Sequence, residues 1–139
     1  SLANHNKALR IRVLKFGEMN SDVATSYGNI GNVHFRKKEF DKAIEAHLKA
    51  MTIREKVFGK DSPPIAESYR GLGNSYREKR DYAKSLAYFE KALGNKTKQL
   101  GEGHKDLVRN YNEIRQVLEL AGDSAKANEY RTKIEQIEG

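Results

Sequence analysis

Ring-bearing and apolar side chains return at intervals of four, three and four residues: Val23, Tyr27, Ile30 and His34, then Ile65, Tyr69, Leu72 and Tyr76, then Leu107, Tyr111, Ile114 and Leu118. At about 3.6 residues per turn such positions fall on one stripe of a helix. A second pattern, Phe40, Ala43, Ile44, His47, Ala50 and Met51, returns as Tyr82, Ser85, Leu86, Phe89, Ala92 and Leu93. The two patterns alternate, so the chain reads as helix pairs over 22–37 and 40–58, 64–79 and 82–100, and 105–121 and 124–138. With a partial opening helix near 2–16 this makes about seven helices, and no alternating strand pattern competes. Gly17, Gly59 and Gly101 are placed to end the second helices in a left-handed conformation, which costs glycine little. Asp61-Ser62-Pro63 offers a capping side chain followed by a proline at the first helical position.

Those three glycines are 42 residues apart, and sliding residues 17–58 onto 59–100 gives 11 identities. They include Ser26/Ser68, Tyr27/Tyr69, Gly31/Gly73, Asn32/Asn74 and Lys49/Lys91, against roughly two or three matches expected by chance. The same step lays residues 5–17 on 47–59, matching His5, Lys7, Ala8, Ile11, Arg12, Phe16 and Gly17. One array therefore occupies 1–139: the end of a preceding repeat over 1–17, repeats over 18–59 and 60–101, and a drifting, cap-like unit over 102–139. Because the chain opens on Ser1 without Met, we expect it to be part of a longer protein.

Composition narrows what such an array can do. With 37% hydrophobic and 32% charged residues, only narrow apolar stripes can be buried. No apolar run is long enough for a membrane span. The absence of cysteine removes disulfides, thiolate metal sites and a cysteine nucleophile, and suits a cytoplasmic setting. His5, His34, His47 and His104 have no carboxylate at ligand spacing, so neither a metal nor a cofactor is expected. The net charge of +7 favours acidic partners. It is spread over turn residues such as Lys37, Lys38, Lys79 and Arg80, with no sustained basic stripe for nucleic acid. Gly28-Asn29-Ile30-Gly31 and Gly71-Leu72-Gly73 imitate nucleic-acid and dinucleotide loops but lie inside helical stripes. Asn95-Lys96-Thr97 is a glycosylation sequon in spelling only.

Tyr69, Leu72, Gly73, Tyr76, Tyr82, Phe89 and Ala92, in that order and with Ser85 in place of a usual alanine, resemble the tetratricopeptide (TPR) motif. That motif ordinarily repeats every 34 residues or so. The longer step here is similar to the kinesin light chain subclass, whereas Ser26-Tyr27-Gly28-Asn29-Ile30-Gly31-Asn32 is similar to the Gly-Asn-Leu-Gly-Asn repeats of Pins-type polarity adaptors. The resemblance implies an all-α right-handed superhelix of antiparallel helix hairpins, with Tyr27, Tyr69, Tyr76, Tyr82 and Phe89 in the core. The last unit departs from the motif, with Arg115 in place of glycine and Arg131 in place of an aromatic residue.

The resemblance also implies that the first helix of each pair lines a concave groove. The polar face there carries Thr25, Asn29, Asn32 and Arg36, then Glu67, Arg70, Asn74 and Arg77, then Arg109, Asn112 and Gln116, with Glu113 and Glu119 beside them. The amides of Asn32, Asn74 and Gln116 share a register, and an amide both donates to and accepts from a peptide backbone. Arg70, one turn before Asn74, can hold a carboxylate bidentately, although Gly28 and Asn112 replace that basic residue in the flanking units. The expected function is a non-enzymatic scaffold that binds a protein or peptide segment, with acidic ligands favoured. The alternatives are a spacer or oligomerisation module, self-associating through exposed terminal faces such as Leu9, Ile11, Leu14 and Phe16, and less readily a basic binder of nucleic acid or membrane surfaces.

Overall fold

The computed structural model describes residues 21–138. Six α-helices run in order: α1 (Ser21–Arg36), α2 (Phe40–Phe58), α3 (Pro63–Glu78), α4 (Tyr82–Leu100), α5 (Val108–Leu120) and α6 (Ser124–Glu138). A 3-10 turn, Lys105–Leu107, leads into α5, and the described residues contain no strand. The opening helix near 2–16, the Gly17 cap and the apolar face of Leu9, Ile11, Leu14 and Phe16 lie outside the described residues. The remaining helices match the apolar periodicity closely. One step of 42 residues carries α1 onto α3 and α2 onto α4 end for end, and carries the start of α4 onto the start of α6.

Each helix packs on its neighbours in sequence, and α1 also reaches α3. These are antiparallel hairpins stacked side by side in an all-α TPR-type superhelix, in which the first helices of neighbouring hairpins, α1 and α3, also meet. The core is accordingly a row of small clusters. Val23, Ala24 and Ile53 fill the first hairpin, and Ile65, Tyr69 and Ala92 the second. Leu107, Tyr111 and Ile134 fill the third, while Phe89 joins Ile114, Val117, Leu118 and Ala127 across the second junction. Burying one such aliphatic or aromatic side chain contributes roughly 1.5–3 kcal/mol. Tyr69 and Phe89 are buried as expected, whereas Tyr27 and Tyr82 are half-buried at cluster edges and the half-buried Tyr76 stacks on Tyr88.

The turn between the helices of each pair is built three times in the same way. Lys38 N–H donates to Phe35 C=O and Glu39 N–H to His34 C=O. Arg80 and Asp81 repeat this on Arg77 and Tyr76, and Gly122 and Asp123 on Glu119 and Leu118. This paired bonding requires a left-handed residue at its centre, and φ is +64° at Lys38, +66° at Arg80 and +85° at Gly122. In sequence, lysine and arginine at the first two turns look like plain solvated charges; in the fold they carry backbone strain that glycine avoids. Asp81 and Asp123 then cap the following helices through Lys84 N–H and Lys126 N–H.

The longer connections between hairpins differ from the capping expected. Gly59 and Gly101 have positive φ, 91° and 86°, but extended ψ, 166° and 155°, a region open essentially to glycine alone. Ser62 occupies the N-cap of α3, yet its hydroxyl donates back to Gly59 C=O at 2.8 Å and makes no cap bond. With Pro63 and Pro64 opening the helix, two N–H groups that a cap could satisfy do not exist. The Asn95 amide holds this connection by donating to Lys60 C=O at 3.1 Å and Ser62 C=O at 2.8 Å. It is 4% exposed, which leaves the sequon asparagine inaccessible in the folded chain.

Two buried rings set the spacing between helices. A Cβ added at Gly73 would lie 2.8 Å from Phe89 Cδ1. Added at Gly31 or Gly71, it would lie 2.7 Å from His47 ring atoms, so the imidazole of α2 is held between glycines of α1 and α3. His47 is 4% exposed and its Nδ1 has no hydrogen-bond partner. Burial, aided by the neighbouring Arg54 charge, lowers its pKa from 6.5 to about 4. Ser85, at the usual alanine position, donates to Gly73 C=O at 2.7 Å and ties α4 to α3.

Between pH 6.5 and 4 the unfolded chain binds a proton at His47 that the folded chain excludes, so stability falls as pH falls through this window. A lowering to about 4 corresponds to about 3 kcal/mol lost over that window. Urea titrations of the wild type and His47→Phe at pH 7 and pH 4.5 check this: the variant, which copies Phe89 of the next unit, should lose that part of the pH dependence. For the turns, Lys38→Gly should raise the unfolding free energy by about 0.5–1 kcal/mol, relief of the left-handed backbone exceeding the added chain entropy. Thermal unfolding of the variant measures this directly.

Candidate functional site

The face that the resemblance assigns to a groove, called the inner wall below, is carried by α1, α3 and α5. Of the residues assigned to its polar face, Thr25, Asn29, Asn32, Arg36, Glu67, Arg109 and Gln116 are exposed, while Arg70, Asn74, Arg77 and Asn112 are half-buried. Asn29, Asn32 and Arg36 come together with Phe35 around one open depression of about 490 Å³. Their spacing of three and four residues puts these side chains over successive turns of a single helix face. Two amides, a guanidinium and a ring edge therefore meet at one surface. Thr25 is engaged locally, its hydroxyl donating to Ser21 C=O at 3.0 Å.

The carboxylate partner of Arg70 is internal. Arg70 Nε donates to both Glu113 carboxylate oxygens, at 3.3 and 3.1 Å, and Nη2 donates to Oε2 at 2.9 Å. Both side chains are largely buried, so a bidentate pair bridges α3 to α5 across the second junction. The sequence identified a guanidinium able to grip a carboxylate; it could not identify Glu113 as that carboxylate, because the pair meets only when the hairpins stack. Arg77 lies 3.4 Å from the neighbouring Glu78 carboxylate. Asn112 accepts from Arg115 Nε at 3.2 Å.

Arg115 and Arg131, the two departures from the motif, occupy the places that glycine and an aromatic ring hold in the preceding unit. Both pair with Glu119, Arg115 Nη1 at 2.9 Å and Arg131 across the hairpin. Hydrogen bonds from Arg131 and then Arg115 hold the Glu119 carboxyl below its usual range.

One cation beside the groove was missed in the sequence. Arg54, on outer helix α2, is 7% exposed and donates from Nη1 to Ser68 Oγ at 3.0 Å. A Cβ at Gly28 would stand 3.6 Å from its Nη2, so the guanidinium reaches between α1 and α3. Glu67 Oε2 is 4.0 Å away on an exposed side chain. Burial lowers the pKa of Arg54, with Glu67 acting in the opposite direction. The available signal was joint recurrence: Arg12 precedes Ser26 by the same 14 residues that separate Arg54 from Ser68.

Elsewhere among the described residues, no group of three or more His, Cys, Asp or Glu side chains is arranged to hold a metal ion, and no helix is long and apolar enough to cross a membrane.

No curated protein matches this sequence. Solved structures do. BtubC (BKLC) from P. vanneervenii superposes with a TM-score of 0.88 at 24% identity, over 99% of this chain and 55% of that one. The nearly identical TPR-like repeats of a kinesin light chain-like protein from Podosopora anserina superpose at 0.82 and 14% identity, over 99% of this chain and 65% of that one. A singly substituted form of the same repeats also superposes at 0.82 and 14% identity, over 98% of this chain and 64% of that one. The chain thus spans between about half and two thirds of the length of these neighbours. At such identities the likeness is one of fold: hairpins of the same pitch stacked in the same way. Sequence identifies the family directly, since the tetratricopeptide repeat model matches residues 22–98, more than half of the chain, and the chain belongs to the tetratricopeptide repeat family.

Proposed function

We propose that this chain is a protein-interaction scaffold that binds a segment of another protein along the inner wall, with acidic ligands favoured, and that it performs no reaction. The observation that carries this reading is the convergence of Asn29, Asn32 and Arg36 on one open depression of the inner wall. Asn74 and Gln116 continue the amide register on the next two inner helices. Amides pair with the backbone of an extended peptide, and their regular spacing along a stack of equal steps matches the repeating character of that backbone. The net charge of +7 draws acidic segments to the surface. Arg36 and Arg77 add local preference, whereas Arg70 acts on ligand only indirectly, by fixing the wall through Glu113.

The 42-residue step accords with a kinesin light chain-like repeat, and the Gly-Asn pairs of α1 with a Pins-type variation on its inner surface. A cytoplasmic setting suits the absence of cysteine. Binding then needs neither metal nor cofactor, and nucleic acid is a poor partner because the inner wall mixes its arginines with Glu67, Glu78, Glu113 and Glu119.

The test uses a peptide selected against the chain from a random-sequence display library. Replacing Asn32 and Asn74 together by Ala should weaken it about tenfold or more, at about 1 kcal/mol per lost hydrogen bond, with the helical circular dichroism unchanged. Fluorescence anisotropy of the labelled peptide gives the affinity; an unaltered value in the double variant removes the inner-wall assignment.

A further inference from the structure

We propose that Arg54 is the seat for a carboxylate side chain of the bound peptide, and that Glu67 is an internal occupant of that seat which the ligand displaces. This rests on the inner-wall reading above and adds to it the residue that recognises acid.

The two junctions between hairpins differ in one respect. At the second, Arg70 is satisfied by donating three hydrogen bonds to a carboxylate, Glu113, that the chain itself supplies. One step of 42 residues earlier, the place of Arg70 is held by Gly28 and that of Glu113 by Gly71. The guanidinium of Arg54 comes in from α2 against Gly28, filling the position of the missing cation. Nothing replaces the missing carboxylate, because the Gly71 position is taken up by the His47 ring. A guanidinium has five N–H donors. Among the described residues Arg54 uses one on Ser68, and Glu67 stands 4.0 Å off, beyond hydrogen-bond reach, on a side chain 78% exposed. A buried guanidinium so incompletely paired is costly, and an added carboxylate lowers that cost.

Arg54 and Glu67 border a depression of about 350 Å³ that opens beside Thr25 and is walled by Phe58, Pro63 and Pro64. Phe58 is 47% exposed, one of the few large apolar side chains left uncovered among the described residues. An aspartate or glutamate entering here has its charge met by Arg54 and its methylene stem met by the phenyl and pyrrolidine rings. Glu67 shows the ligand class directly: the group that already approaches this cation is a carboxylate carried by an exposed, easily moved side chain.

The experiment follows the Arg54 Nε–H resonance of the full 139-residue chain, isotopically labelled, during titration with acetyl-hexaglutamate amide, with acetyl-hexaglutamine amide as the neutral control. We expect the Arg54 signal to move saturably with hexaglutamate and to stay still with hexaglutamine. Glu67→Gln should tighten hexaglutamate about two- to fivefold by removing the competitor, and Arg54→Lys should weaken it about tenfold by removing the planar fork. Glu67 lies on the surface, so its variant keeps the test decisive even where Arg54→Lys disturbs folding. An Arg54 signal unmoved while the Asn29, Asn32 or Asn74 amide signals shift overturns this inference and leaves the inner-wall reading standing. Shifts at neither Arg54 nor those amides overturn both. An Arg54 signal that moves with protein concentration alone assigns the seat to a second copy of the chain and overturns the peptide assignment.

Discussion

Close approach of a ring to a bare backbone is the interaction on which this array depends. His47 lies against Gly31 and Gly71, and Phe89 against Gly73, at distances where any added Cβ would overlap the ring. The rings are buried and cannot swing aside as a long surface side chain would, so the glycines fix how near inner and outer helices come. Each ring also works beyond its own hairpin. His47 touches glycines of both α1 and α3, and Phe89 belongs to the cluster of Ile114, Val117, Leu118 and Ala127 that carries the third hairpin. The spacing within a hairpin and the pitch between hairpins are therefore set by the same atoms, and the inner wall inherits its geometry from them.

The third hairpin lacks that glycine and ring and holds its helices by other means. Arg115 and Arg131 replace the glycine and the ring together. Glu119 pairs with both arginines, so an ion-pair network in contact with water links α5 to α6 there. Elsewhere the hairpin keeps the common pattern. Lys133 stands over Tyr111 and Tyr130 as Lys91 does over Tyr69 and Tyr88, and Lys49 over Tyr27. A unit that looks degenerate in sequence thus retains the lysine–tyrosine contacts of its neighbours.

The helices were legible because their periodicity is local: the stripes at Val23, Tyr27 and Ile30 and their recurrences fix each span to within a residue or two, apart from the 3-10 entry to α5. The turns were less legible. Gly122 announces a left-handed residue, whereas Lys38 and Arg80 adopt the same conformation against their own preference and give no compositional sign of it. The inner-wall amides could be placed on one face by counting residues along a helix. The partners of Arg70 and Arg54 could not, since each depends on the distance between helices far apart in sequence. Arg54 was hidden for a further reason. On the outer helix of a hairpin, an arginine reads as a surface charge unless its recurrence with a serine in the next helix is noticed.

Arg54 and Arg70 answer one physical requirement from opposite sides. A junction between inner helices leaves a gap that a long planar cation fills well, since its stem packs on apolar walls while its head collects hydrogen bonds. When the cation comes from the inner helix, as Arg70 does, it lies along the wall and reaches the carboxylate of the next inner helix. When it comes from the outer helix, as Arg54 does, it arrives end-on between two inner helices. Its Nη1 bonds Ser68 and its Nη2 lies between Gly28 and the Glu67 carboxylate. Charge attraction over the whole +7 surface is diffuse and weakened by salt. A desolvated guanidinium at a fixed place discriminates by position, because a ligand carboxylate one residue out of register cannot reach it. Under the proposed reading, the second junction supplies stiffness and the first supplies register.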